Sequence, residues 1–172
     1  VLVNWLCDLE SEVPDCKLYF PRLAVDRLTG IVYLAGMLGG VATWDPVDGF
    51  QTLVENNIEE PTHVFSAVDH LDGGGLFALG QDQTTGVVGI FTFDETTATW
   101  GLVGEWPESF HALDNFAIES ETGDFYVTLH IGHAQEVWRM VADGSYASQL
   151  FTTGYVNETR RFFDLGVLWD QK

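Results

Sequence analysis

The stretch IFTFDETTATWGLV, residues 90–103, decides the fold. Apolar and polar side chains alternate up to Asp94, small polar residues follow, and an apolar run resumes at Trp100. That pattern reads as strand, tight turn, strand. The stretch also has relatives in the same chain. VATWDPVDGFQTLV (41–54) puts Trp44-Asp45 where Phe93-Asp94 stands, with Phe50 near the place of Trp100, and VWRMVADGSYASQL (137–150) carries Asp143 and Tyr146. Asp45, Asp94 and Asp143 are spaced by 49 and 49 residues, a regularity that points to an internal repeat.

A second series lies upstream of the first. LAVDR, SAVDH and HALDN carry Asp26, Asp69 and Asp114 at spacings of 43 and 45, and RFFDL carries Asp164 a further 50 residues on. A turn rich in Gly or Thr follows each of the first three: LTG (28–30), LDGGG (71–75) and ETGD (121–124). Short apolar runs come next: IVYLAG, LFALG and FYVTL. Each unit thus reads as four short strands joined by tight turns, with no segment holding helical periodicity over three turns. The chain is expected to be all-β, a β-propeller built of four-stranded antiparallel blades. Complete units are expected at roughly 20–61, 62–108 and 109–160. The terminal stretches 1–19 and 161–172 would then combine into a fourth, mixed blade, or leave a ring that something else completes.

Phe93-Asp94, Thr97 and Trp100 are similar to the aromatic-Asp, Thr, Trp spacing of kelch repeats, and WDPVDGF (44–50) is a looser copy. The double glycine of the second kelch strand is replaced by the single Gly36 and Gly80, while DRLTGIVYL (26–34) resembles the Asp-x-x-x-Gly-x-x-Tyr run of NHL- or YVTN-type propellers. The resemblance is therefore to kelch/NHL-like propellers as an architecture. It implies a fold and no particular activity.

Composition excludes several functions. The 172 residues carry 26 acidic and 7 basic side chains, for a net charge of −19, which repels nucleic acid and anionic membranes. No apolar run approaches the ~20 residues that span a bilayer. The chain does not start with Met, which fits a processed form or an excerpt of a longer chain. Cys7 and Cys16 flank an acidic, Pro-containing loop in WLCDLESEVPDCKLYF (5–20). A disulfide stapling a hairpin is the expected state, and it places the protein in an extracellular or periplasmic compartment.

Candidate binding residues are few. Asp26, Asp69, Asp114 and Asp164 would ring the central channel if each ends the first strand of a blade, and His63, His70 and His111 lie near the same strands. The plainer reading is that each Asp ends its strand and accepts N–H groups of its own turn. No cofactor is expected, with calcium the ion such a ring would take. His130, His133 and Glu136 in LHIGHAQEV lack the helical spacing of a metal motif. GxSxG elbows and phosphate loops are absent from the sequence, and five arginines are few for a sialidase-like site. Trp5, Trp44, Trp100, Trp106, Trp138 and Trp169 could stack on sugars, although their repeat positions favour packing between blades. Asn157-Glu158-Thr159 is a glycosylation acceptor in a secreted eukaryotic protein.

These features favour a non-enzymatic, extracytoplasmic binding or scaffolding module for a protein or glycan ligand. A hydrolase or lyase with acidic residues at the channel mouth is the alternative. A structural subunit that completes its ring with a second copy, or with the remainder of a longer chain, is a third.

Overall fold

The computed structural model describes residues 22–36, 38–55, 60–106, 113–131, 134–145 and 147–153. Cys7, Cys16, His111, Asp164 and both terminal stretches lie outside these residues, as does the side chain of Asp114. The described chain folds into three antiparallel sheets of four strands, each sheet running in chain order. The first holds β1 (Arg22–Val25), β2 (Val32–Ala35), β3 (Val41–Asp45) and β4 (Gly49–Val54). The second holds β5 (His63–Leu71), β6 (Gly75–Asp82), β7 (Val88–Asp94) and β8 (Thr99–Glu105). The third holds β9 (Leu113–Ile118), β10 (Phe125–Ile131), β11 (Ala134–Met140) and β12 (Ala147–Thr153).

Alternation along each strand divides the apolar residues between two faces. In β6 and β7, Leu79 and Ile90 face the third sheet, where they pack with Phe116, Phe125, Val127, Leu129 and Met140. Leu76 and Phe93 face the first sheet and pack with Ala24, Tyr33 and Val41. The middle sheet is thus apolar on both sides and stacked on both. Neighbouring sheets meet through β1, β5 and β9, which makes these the inner strands of successive blades. The sheets stand as an open stack of blades.

Each outer pair carries the same irregularity. The register slips by one residue between Val41 and Ala42, between Ile90 and Phe91, and between Val137 and Trp138. Leu53, Val103 and Leu150 are the extra residues on the partner strands, so they mark equivalent bulges. This superposition makes Asp45 and Asp94 true equivalents, the last residues of β3 and β7, whereas Asp143 falls beyond β11, inside its turn.

One turn recurs in three places. Asp26-Arg-Leu-Thr-Gly-Ile31, Asp82-Gln-Thr-Thr-Gly-Val87 and Glu119-Ser-Glu-Thr-Gly-Asp124 share one set of hydrogen bonds. The first N–H donates to the sixth carbonyl at 2.9–3.0 Å, and the glycine N–H donates to the first carbonyl at 2.7–2.8 Å. The Thr hydroxyl donates to the leading carboxylate, at 2.6 Å in the first, 2.9 Å in the second and 2.7 Å in the third. Gly30, Gly86 and Gly123 hold φ of 76–79°, a region that a Cβ disfavours.

The turn at 94–99 solves the same problem differently. The Asp94 carboxylate accepts the N–H groups of Thr96 and Thr97 at 2.8 and 3.4 Å, and Ala98 takes φ of 54° where the other turns have glycine. Replacing Ala98 by Gly is expected to stabilise the fold by about 0.5 kcal/mol, since relief of left-handed strain exceeds the added unfolded-state entropy. Gly86→Ala, whose new Cβ meets no atom within 4 Å, should cost about 1 kcal/mol through backbone strain alone. Gly104→Ala should cost more, about 2–3 kcal/mol, because its Cβ would stand 2.6 Å from the Gly144 Cα where the second and third blades touch. Urea denaturation of the three variants beside the parent checks the order.

Candidate functional site

The inner hairpin turns of adjacent blades lie side by side. Counting from the last paired residues, Val25, Leu71 and Ile118, the residues that open these turns are Asp26, Asp72 and Glu119. The structural counterpart of Asp26 is therefore Asp72 and not Asp69, which sits inside β5 opposite Phe77. Asp114 is the second residue of β9. Asp26, Asp69 and Asp114 thus hold three different places relative to the ends of their strands. The insertion of turn residues after β1 and β9, where β5 has a shorter connection, shifts the alignment.

Asp26 accepts the Leu28 N–H at 2.9 Å and the Thr29 hydroxyl at 2.6 Å, and is 8% exposed. The Thr29 hydroxyl does most to hold its carboxyl below the usual range, with the Leu28 N–H and the charge of His70 assisting against burial. Asp26 therefore satisfies the turn-former reading, as do Asp45, Asp94 and Asp143. Asp69 does not. Its carboxylate accepts the His70 N–H at 2.8 Å and reaches across the blade junction to the Ile118 N–H at 3.0 Å. Burial pushes the Asp69 carboxyl up, while those two N–H groups pull it back.

Around Asp26 the structure gathers residues that the spacing did not group. His70 and Asp72 each present a ligand atom within 4.8 Å of one on Asp26 and of each other. Tyr33 stacks on the His70 ring at 4.8 Å and 18°, and its hydroxyl donates to the Glu95 carboxylate at 2.7 Å. Burial, then Glu95, drives the Tyr33 phenol well above its ordinary pKa, so it remains a proton donor at neutral pH. Asp72 accepts the Arg27 N–H at 3.0 Å, tying the second blade to the first. The signal for this cluster was the DH at 69–70 followed by LD at 71–72, legible only once β5 is known to end at Leu71.

Beside Asp72, a cleft of about 310 Å³ opens between the second and third blades. Asp72, Glu121, Gly73, Gly74, Gly123, Phe77 and Phe125 are among the residues that line it. In the third blade, Arg139 Nε donates to Asp124 at 2.7 Å, and Asp124 also accepts the N–H of Ala142, a residue of the cleft lining, at 3.0 Å.

The tryptophans in the described residues serve packing. Trp100 lies 4.5 Å from Phe65 and 5.1 Å from Phe93, and donates to the Gly39 carbonyl at 2.9 Å. Trp106 is 4% exposed and meets Trp138 edge-on at 6.0 Å. Trp5 and Trp169 lie outside the described residues.

His63 belongs to the same aromatic cluster. Its ring stands 5.5 Å from Phe65 and 5.0 Å from Phe91, away from Asp26 and His70 in the contacts it makes. Burial lowers its pKa, with Asp82 opposing. A histidine depressed in the fold contributes stability above the unfolded value of about 6.5, and that stability is lost as pH falls through the folded value. Acidification from pH 7.5 to 5 should therefore destabilise the parent more than a His63→Phe variant. Melting curves of the pair across that range check it, the difference between them cancelling the general effect of the acidic surface.

No protein-family model and no curated protein matches the chain. In fold it is similar to a solved nidogen/laminin complex, with a TM-score of 0.57 at 15% identity over 78% of this chain and 48% of that one. The chain thus spans about half the length of that structure. A protein assigned as a 6-phosphogluconolactonase from Bacteroides fragilis is similar at a TM-score of 0.46 and 22% identity, over 76% of this chain and 37% of that one. At these identities the likeness is one of fold, and the fold is a β-propeller type built of four-stranded antiparallel blades.

Proposed function

We propose that this chain is a non-enzymatic binding module, a propeller segment of kelch or NHL character acting outside the cytoplasm, whose ligand is a protein carrying an exposed Lys or Arg. The observation that carries the reading is the cleft between the second and third blades. Its lining combines the acidic Asp72 and Glu121 with the aromatic Phe77, residue types that suit an alkyl stem ending in a cation. The net charge of −19 would steer such a ligand toward the surface. A solved relative in fold is a complex of nidogen with laminin, which fits a propeller used to hold a protein.

A protein ligand is favoured over a glycan because Trp100 and Trp106 are committed to packing. Binding is favoured over hydrolysis because Asp69, the acid raised by burial, has its two oxygens engaged by backbone N–H groups that favour its ionised form. The cysteine pair at 7 and 16 supports the extracytoplasmic placement.

Selection from a random-peptide display library tests the reading. Enriched peptides should carry Lys or Arg, bind more weakly as salt rises, and lose at least about tenfold in affinity to Glu121→Lys, about 1.4 kcal/mol. Recovery of neutral or acidic peptides, or binding indifferent to Glu121→Lys, would overturn it.

A further inference from the structure

We propose that Asp26, His70 and Asp72 form a binding site for one divalent cation of the zinc class, built at the junction of the first and second blades. The proposal shares Asp72 with the basic-ligand reading of the cleft, and its test reads metal binding alone, whatever that cleft holds.

Three observations carry it. The three side chains offer one nitrogen and two oxygen ligand atoms, all within 4.8 Å of one another. A zinc ion with bonds of about 2.0–2.2 Å would hold such atoms roughly 3.4 Å apart, inside the 4.8 Å within which they all lie. Second, the His70 ring is held but unsatisfied: Tyr33 stacks on it, and the enclosed Nδ1 has no hydrogen-bond partner. Third, no hydrogen bond or ion pair among the described residues joins the ring to either carboxylate. Direct contact is therefore not what holds the three groups together.

The carboxylates have capacity to spare. Asp26 accepts one hydrogen bond on each oxygen, leaving a lone pair on each. The Asp72 Oδ1 accepts the Arg27 N–H, which leaves its Oδ2 without a partner among the described residues. Those bonds from backbone and Thr29 fix the ligating carboxylates in place, as supporting contacts do in metal sites. Two positions come from one β-hairpin, His70 on β5 and Asp72 in its turn, and the third comes from the neighbouring blade. A cation here would cross-link two blades. One imidazole with two carboxylates suits zinc and its neighbours, whereas calcium prefers six to eight oxygens and would gain little from His70.

Titration of the metal-free chain with zinc chloride against a chromogenic chelator tests the site. The expected result is one zinc per chain at micromolar affinity or tighter, weakened at least about tenfold in His70→Gln and in Asp72→Asn, and a rise in melting temperature with zinc that both variants lack. Imidazole nitrogen shifts in the parent should report metallation of His70, a signature that a merely structural histidine would not give. Asp72→Asn removes charge in a turn and keeps the side chain's shape, so it serves if His70→Gln fails to fold. Failure to bind below about 100 µM, binding unchanged in both variants, or displacement by equimolar calcium would each overturn the proposal.

Discussion

A four-stranded sheet that is apolar on both faces has to be covered on both, and this requirement organises the molecule. The middle blade shows it most directly. Leu79 and Ile90 on one side, Leu76 and Phe93 on the other, leave it no stable existence without neighbours. Stacking supplies the cover, and close stacking sets demands of its own. Gly104 and Gly144 are needed where backbone meets backbone, and the bulges at Leu53, Val103 and Leu150 add twist to each outer pair at the same level. The candidate sites follow from this arrangement, since both lie where the inner turns of adjacent blades are brought side by side.

The acidic surface is compatible with such tight turns because many carboxylates have been given a structural task. Asp26, Asp45, Asp82, Asp94 and Asp143 each accept N–H groups that a sharp chain reversal would otherwise leave unpaired. Hydrogen bonds of this kind favour the ionised form, and the carboxyls of Asp26, Asp82, Asp94 and Asp143 are held below their ordinary range accordingly. These residues therefore place negative charge in the turns that join the strands.

The propeller class was legible because period-two alternation and turn residues are local signals, and they recur. IFTFDETTATWGLV becomes most of β7, its turn and β8, with Asp94 and Thr99 as the closing pair. The positions of the acids were not legible in the same way. Equal spacing in sequence equates residues only if every connection has the same length. The β5–β6 connection is three residues shorter than the β1–β2 one, and this moved Asp69 into the place of Asp72. The hydrogen-bonded turn D/E-x-x-T-G was present three times in the sequence, yet it joins inner strands twice and β6 to β7 once. It follows local chemistry and does not mark the blade period.

That distinction explains why two aspartates at the inner strands of neighbouring blades behave in opposite ways. Asp26 lies beyond the end of β1, and its shielding is local: a hydroxyl and an N–H from its own turn lower its pKa and require nothing of the next blade. Asp69 lies within β5, and its partner Ile118 belongs to the next blade. Its carboxylate can be satisfied only when the second and third blades are docked, and burial in that junction raises its pKa. A turn acid helps its hairpin form at once, whereas a junction acid imposes a cost on docking unless the facing N–H is in register. Asp69 consequently discriminates among ways of stacking one blade on the next. The apolar faces supply most of the attraction, and a directional bond between β5 and β9 selects which alignment of those faces is kept.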